Sequence, residues 1–174
     1  EVKAISDKYS KEQQVKLMEK SQQGVTESNG TYMLNGDAHL LFNRLGNHNK
    51  ISFTVKTSSN TDKFGFSFVR GSDSDKYYSI IVNPENDSQR KLNFEEEGKS
   101  GQGFIAGIDG YVFNRPTDNT YHVTVYTDNS ICVVYVNDIC SYTNRIYGIQ
   151  KNCWSINSYG GNISVSDVKV SQYE

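Results

Sequence analysis

An alternation of apolar and polar residues from Thr31 onward is the feature that most constrains how this chain can fold. Successive side chains of a β-strand lie on opposite faces, so a period of two marks strands with one buried face. Clear runs occupy residues 51–55, 64–68, 78–82 and 92–94. Clusters of turn-forming residues separate these runs at roughly the 8–12-residue spacing that is typical of antiparallel sandwiches. The pattern therefore predicts an all-β fold.

The N-terminal stretch follows a helical pattern instead. Ser10 and Gln13 have the spacing of a capping box, Val15 and Met18 share a helical face, and Gly24 is a natural helix stop. The segment is otherwise polar and too short to be stable alone. We therefore expect a short helical segment that lies against the strands.

These two patterns predict a domain boundary near residue 30. Residues 1–30 are expected to form a helical linker, and residues 31–174 a two-sheet antiparallel β-sandwich of the concanavalin or jelly-roll type. The last strands are predicted at 154–156 and 163–170. A chain of 174 residues is long enough to bury a core of this kind.

The residues from 121 to 136 carry the clearest hairpin pattern. We place its two-residue loop at Asp128-Asn129, because both residues tolerate a positive φ. That loop pairs Val125 with Cys132 and predicts an apolar core face. The opposite face is mixed rather than polar, so we expect something to cover part of it. The mixed face comprises His122, Thr124, Tyr126, Ile131, Val133 and Tyr135.

Charge and hydropathy exclude several classes of function. The chain has 18 Lys and Arg against 20 Asp and Glu and contains no basic block, so nucleic acid is not an expected partner. No apolar run approaches the roughly 18 residues of a membrane span. The chain opens on Glu1 with neither a start Met nor an apolar signal segment, as expected of a mature or excised fragment.

The three cysteines do not indicate a metal site. Cys132 lies in an apolar strand pattern and is expected in the core, whereas Cys140 and Cys153 flank a loop and could pair in an oxidising compartment. The sequence leaves that pairing open. No spacing of His and Cys resembles a zinc site, so no metal or cofactor is expected.

Three consecutive acids, Glu95, Glu96 and Glu97, suggest acid–base chemistry at first sight. Glycoside hydrolysis needs two carboxylates that face each other roughly 5–9.5 Å apart across the scissile bond. Neighbours on a strand lie on opposite faces and cannot do this alone. A solvated strand end or a ligand-binding carboxylate is the better interpretation.

Aromatic and basic residues near the C-terminus suggest polar recognition. Trp154 could be a platform for a sugar ring, although its apolar neighbours favour the core. Arg145 and Tyr147 could bind hydroxyl groups, or Arg145 could tie a loop to a carboxylate. The 12 Tyr of the chain suit a surface that meets a sugar or another domain, and they equally suit an ordinary solvated sheet.

The stretch from 121 to 147 resembles the C-terminal sandwich of glycoside hydrolase family 32, the fructan-cleaving invertases, levanases and inulinases. The motifs that carry the resemblance are Asp128-Asn129-Ser130, Val136-Asn137-Asp138 and Thr143-Asn144-Arg145-Ile146-Tyr147. The closing segment from Trp154 through Tyr159-Gly160-Gly161 to Val170 is similar to the family's last strands. The sequence departs from the family where Val133 replaces an acid and Asn129 replaces an Arg.

The resemblance implies a sandwich packed beside a catalytic β-propeller. The family's Asn-Asp-Pro-Asn, Arg-Asp-Pro and Glu-Cys motifs do not occur in this sequence, so the chain is expected to be a non-catalytic part of a fructan-degrading glycoside hydrolase. Related sandwiches, carbohydrate-binding module family 66, bind fructan. A secreted, periplasmic or cell-surface location is implied by the family alone.

Two functions follow from these observations. The first is binding of fructan, a polysaccharide or oligosaccharide, with Glu95 and Glu96 as hydroxyl acceptors, Arg145 as donor, and Tyr147 and Trp154 as ring faces. The alternative is a purely structural domain that stabilises the adjacent propeller through the mixed face of the hairpin. No motif favours an enzyme that acts without the propeller.

Overall fold

The structure, a computed structural model, describes residues 3–18, 22–68, 77–84, 91–98, 113–146 and 152–173. Within these residues it contains one helical turn and fourteen strands. The turn is α1 (Lys3–Ser6), and the strands are β1 (Lys11–Gln13), β2 (Val25–Ser28), β3 (Thr31–Asn35), β4 (Ala38–Phe42), β5 (His48–Thr57), β6 (Phe64–Phe68), β7 (Tyr78–Pro84), β8 (Lys91–Gly98), β9 (Phe113–Asn114), β10 (Thr120–Asp128), β11 (Ile131–Val136), β12 (Cys140–Arg145), β13 (Trp154–Ser158) and β14 (Asn162–Gln172).

The strands form two antiparallel sheets, which confirms the predicted sandwich. The larger, eight-stranded sheet has the order β12-β11-β10-β5-β14-β3-β2, and β1 also pairs with β14. The smaller sheet has the order β4-β13-β6-β7-β8-β9. The helix α1 has four residues, and no described helix is long and apolar enough to cross a membrane.

The core lies between the two sheets and is rich in aromatic rings. Phe64 of the smaller sheet meets Tyr121 of the larger sheet with ring centroids 5.0 Å apart. Farther along, Phe94 on β8 meets Tyr142 on β12 at 5.6 Å. Each fully buried side chain of this size stabilises the fold by roughly 1.5–3 kcal/mol. These contacts fix the two sheets face to face.

The prediction of a helix between Ser10 and Gly24 was wrong for the described part of that segment. Residues 11–13 form β1, in which Gln13 is opposite Val170 of β14. Farther on, the amide of Met18 donates to the carbonyl of Leu41 at 3.0 Å. The edges of both sheets satisfy these backbone groups, and a short polar helix has too little stability of its own to compete. Strand pairing therefore begins well before residue 31.

The hairpin of β10 and β11 has the predicted faces but a different register. Val125 lies opposite Val134, not Cys132, because the loop is at Asn129-Ser130, one residue later than predicted. Asn129 adopts a φ of 49°, a conformation that Asn tolerates. A shift of two residues in the pairing keeps every side chain on its face, since the period of a strand is two.

Candidate functional site

Trp154 is a core residue in this structure. Its side chain is only 2% exposed, and its ring is stacked on Phe42 with centroids 4.1 Å apart and planes inclined by 17°. The ring of Phe66 lies 5.8 Å away on another side. A ring enclosed by other rings has no free surface for a sugar, so the expectation that Trp154 offers a face to a ligand needs correction.

The acids lie far from Trp154 along the smaller sheet. On β8, Glu95 is opposite Ile81 and Glu96 is opposite Ile80. Three strand spacings separate β8 from β13, a distance of about 14 Å. Neighbouring strand positions belong to opposite faces, so one ligand on one face can meet only one of these two positions. The side chains of both acids, and the whole of Tyr147, lie outside the described residues.

Arg145 ends β12 on the outer side of the larger sheet. Its Nη1 donates a hydrogen bond of 3.2 Å to the Oγ of Ser130, and its side chain is exposed. Arg145 is opposite Ile131, Ile131 is opposite Asp128, and Asp128 is opposite His48. Directly opposite residues share a face with their Cβ atoms roughly 4.5–5.5 Å apart. The register thus places Arg145, Asp128 and His48 in one row across four strands.

Tyrosine rings adjoin this row. The ring of Tyr126 on β10 lies 5.3 Å from that of Tyr9 and 6.0 Å from that of Tyr135. Tyr9 also contacts Tyr173, with centroids 5.7 Å apart. All three pairs have the edge-to-face geometry that aromatic rings favour. We call this surface the tyrosine face, and it comprises Tyr9, His48, Tyr126, Asp128, Tyr135, Arg145 and Tyr173.

The N-terminal segment delivers Tyr9 to the tyrosine face. The amide of Tyr9 donates to the carbonyl of Ser6 at 3.1 Å, which closes the turn after α1. The Oγ of Ser6 accepts a hydrogen bond from Lys50 on β5, so the segment is tied to the sheet. The ammonium of Lys50 also lies 5.6 Å from the centre of the Tyr126 ring, a cation–π contact.

Polar groups at the tyrosine face include a close His–Asp contact and the hydroxyl of Tyr9. The Nδ1 of His48 lies 2.9 Å from the Oδ1 of Asp128, and the two side chains are 42% and 57% exposed. Burial first, and then the charges of Asp128 and Tyr173, raise the pKa of Tyr9 above its usual value. The Tyr9 phenol therefore stays protonated at neutral pH and can both donate and accept a hydrogen bond.

The chemistry available at this face is recognition of polar molecules. Tyrosine rings offer apolar surface with a hydroxyl at the rim, Asp128 accepts hydrogen bonds, and the guanidinium of Arg145 donates them. Of the described residues, no cluster of His, Cys, Asp and Glu has the arrangement of a metal site. The sequence suggested Arg145 as a ligand contact and grouped Tyr126 with Tyr135 on the mixed face of the hairpin. It did not group Tyr9, His48, Asp128 and Tyr173 with them, because their common face depends on long-range pairing.

A second polar cluster, on the outer face of the smaller sheet, is structural. The Oγ of buried Ser67 donates to that of Ser79 at 2.7 Å. The Oδ1 of buried Asn157 lies 2.8 Å from the Nδ1 of His39 and accepts from the Oγ of Ser155 at 3.0 Å. Buried polar groups must be paired in this way to be tolerated, so the cluster needs no ligand.

The Val136-Asn137-Asp138 motif also has a structural role. Asn137 and Asp138 adopt φ angles of 52° and 53° in the turn between β11 and β12, a conformation that favours Asn and Asp over most residues. The Oδ1 of Asn137 accepts a hydrogen bond of 2.7 Å from the amide of His122. The motif therefore fixes the turn that leads into β12 and Arg145.

The fold is shared with several solved structures. A carbohydrate-binding module CBM66 from Bacillus subtilis aligns with a TM-score of 0.63 at 12% identity, over 87% of this chain and 92% of the other. A β-glucanase from Bacillus licheniformis aligns with a TM-score of 0.57 at 10% identity, over 96% of each chain. At these identities the likeness shows a shared fold.

A multidomain enzyme also contains this fold. The β-fructofuranosidase from Aspergillus kawachii, complexed with glycerol, aligns with a TM-score of 0.53 at 16% identity. The match covers 86% of this chain but only 28% of the enzyme. No curated protein sequence matched the chain. The family model described as GH32, BT1760-like, C-terminal domain matches residues 1–170, so the chain belongs to that family of accessory C-terminal domains.

Proposed function

We propose that this accessory domain binds fructan and that the tyrosine face is its binding surface. The observation that carries the proposal is the grouping of four tyrosine rings with Arg145 and Asp128 on one outer face. Membership of the GH32 C-terminal family and the fold shared with a carbohydrate-binding module support it. Fructan as the ligand follows the family's link to fructan hydrolases, which implies a location outside the cytoplasm.

Each part of the tyrosine face has a role in this proposal. The rings of Tyr126 and Tyr173 pack against the C–H faces of furanose units, and Tyr173 is 46% exposed. Arg145 donates to ring hydroxyls and Asp128 accepts from them. Hydrogen bonds to charged groups contribute roughly 1.5–3 kcal/mol each, so two such residues already suffice for the modest affinity of a single sugar site.

The remaining sequence candidates are proposed as further contacts for the same class of ligand. Tyr147 follows Arg145 by two residues in the sequence, and we propose it as a further ring face. Glu95 or Glu96, on β8 of the smaller sheet, is proposed as a hydroxyl acceptor apart from the tyrosine face. The variants Tyr147→Ala, Glu95→Gln and Glu96→Gln measure how much each residue contributes to fructan binding. Each is compared with wild type by the affinity electrophoresis described next.

Affinity electrophoresis in gels that contain levan or inulin tests the proposal. Wild type is expected to be retarded by one of the two polymers, and Arg145→Ala to migrate as in a gel without polymer. Met33→Ala is the matched control, because Met33 is a 38% exposed side chain on the distant strand β3. Equal migration of wild type with and without both polymers would contradict fructan binding.

A structural domain that stabilises a catalytic propeller is the second candidate. The same face favours it, because partly buried tyrosines are also common at contacts between domains. The two candidates differ in what the face contacts in the full-length enzyme. If Tyr126→Ala and Tyr173→Ala leave polymer retardation unchanged but lower the melting temperature of the full-length protein, the structural role is the correct one.

A further inference from the structure

A cleft of about 110 Å³ opens where the chain after β1, the chain after β4 and the end of β14 meet. It lies between the two sheets, since Phe42 of the smaller sheet and Val170 of the larger sheet both line it. The tyrosine face is on the outer side of the larger sheet, so the cleft is a separate surface.

The floor of the cleft is apolar and rigid. Phe42 and Trp154, stacked on each other, are 1% and 2% exposed, and Leu45 beside them is 8% exposed. The amide of Asn43 donates to the carbonyl of Lys16 at 2.9 Å, which joins the two walls. The floor is therefore closed, and the polar walls rather than the buried rings offer contacts to a ligand.

Amide side chains form part of the walls. Gln14, Asn43 and Gln172 line the cleft, and each amide can donate and accept hydrogen bonds. The amide of Gln172 lies so close to Gly46 that a Cβ there would be 2.5 Å from its Nε2. Only glycine at position 46 leaves the Gln172 amide in this place.

Two cations complete the walls. Lys16 and Arg44 are both exposed lining residues, and neither side chain has a hydrogen bond or ion pair within the described parts of the chain. No Asp or Glu is among the described residues that line the cleft. The cleft thus presents positive charge, amides and an apolar floor together.

We propose that this cleft is a second ligand site, which takes one negatively charged sugar unit. The planar guanidinium of Arg44 can pair with a carboxylate or a sulfate through two parallel hydrogen bonds. The amides suit the ring hydroxyls. A volume of about 110 Å³ is well below the roughly 300–1,000 Å³ of larger ligand pockets, so the site holds one terminal unit.

Titration of the chain with D-glucuronate, D-glucose 6-sulfate and D-glucose, followed by NMR, tests the proposal. At low salt, one of the two anionic sugars is expected to saturate with a Kd at least about tenfold below that of glucose, and 0.5 M salt is expected to weaken it. Which anion saturates identifies carboxylate or sulfate as the recognised group. Glucose binding as tightly as both anionic sugars, or no saturation by either, would overturn the site.

Two variants separate this site from the tyrosine face. Arg44→Gln is expected to remove the binding of the anionic sugar, whereas Arg145→Gln is expected to leave it unchanged. Gly46→Ala, which displaces the Gln172 amide, is expected to weaken it severalfold. If acetate or sulfate ion alone binds as tightly as the anionic sugar, the cleft is an adventitious ion site only. Fructan retardation does not depend on Arg44, so failure here leaves the proposed function standing.

Discussion

The Oδ1 of Asp128 and the Nδ1 of His48 lie 2.9 Å apart and join β10 to β5 at one end of the tyrosine face. Because both side chains are about half exposed, water screens their attraction and the pair contributes roughly 0–1 kcal/mol to stability. Asp128 is thus available as a hydrogen-bond acceptor for a ligand at little cost to the fold.

Asp128→Asn separates these two roles. We expect it to lower the free energy of unfolding by no more than about 1 kcal/mol, because the contact with His48 is about half exposed to water. Fructan binding is expected to weaken, since a charged acceptor is replaced by a neutral one. Urea denaturation and affinity electrophoresis on the same sample measure both. A loss of several kcal/mol with unchanged retardation would make the pair structural.

Arg145→Ala is expected to raise the Kd for fructan about 10- to 150-fold, which corresponds to the loss of roughly 1.5–3 kcal/mol from a charged donor. Arg145→Lys keeps the charge but loses the planar fork, so it is expected to recover only part of the affinity. The melting temperature should stay near that of wild type, because the side chain is exposed. Full affinity in the alanine variant would remove Arg145 from the site.

Trp154→Ala is expected to lower the free energy of unfolding by roughly 3–5 kcal/mol, because it opens a cavity beside Phe42 and Phe66. Trp154→Phe keeps an aromatic ring there and is expected to cost less. Below its unfolding transition, the phenylalanine variant should bind fructan like wild type. Loss of binding with unchanged stability in that variant would restore Trp154 as a ligand contact.

Tyr121→Phe tests a buried hydroxyl. The side chain is fully buried, its hydroxyl has no hydrogen-bond partner within the described residues, and burial raises its pKa to about 12. From pH about 10 to about 12 the unfolded chain loses this proton while the folded chain keeps it, so wild-type stability falls as pH rises. Tyr121→Phe should be about as stable as wild type at pH 7 and should lose less stability at high pH. Melting curves at pH 7 and pH 11 measure this difference. A large loss at pH 7 would show that the hydroxyl is hydrogen-bonded.

The local sequence pattern was sufficient to predict where the strands lie, but not the register in which they pair. The core face of the hairpin followed from the alternation of apolar and polar residues alone. Its register depended on which two residues form the loop, and the loop is Asn129-Ser130 rather than the predicted Asp128-Asn129. The segment from Ser10 looked helical because its period fitted a helix. The segment is extended instead, because its backbone pairs with the free edges of β14 and β4, which are remote in sequence.

The candidate site shows the same limit. Tyr126 and Tyr135 share the mixed face of one hairpin, so sequence could group them. Tyr9 and Tyr173 come from the two ends of the described chain. Tyr9 contacts both Tyr126 and Tyr173, and the pairing of β1 with β14 in the larger sheet brings these two chain ends together. Trp154 lies beneath the cleft because of a stacked partner, Phe42, that is over 100 residues away along the sequence.

Isothermal titration of wild type, Tyr126→Ala and Tyr126→Phe against levan, inulin and free fructose tests the central claim most directly. Wild type is expected to give saturating heat with at least one of the three, Tyr126→Ala to bind at least about tenfold more weakly, and Tyr126→Phe to retain most of the affinity because the ring remains. Ile139→Ala, a change at a side chain that is 73% exposed in the turn after β11, is the control and should bind like wild type. No heat from wild type with any of the three at high concentration would contradict the assignment of this domain as a fructan-binding module.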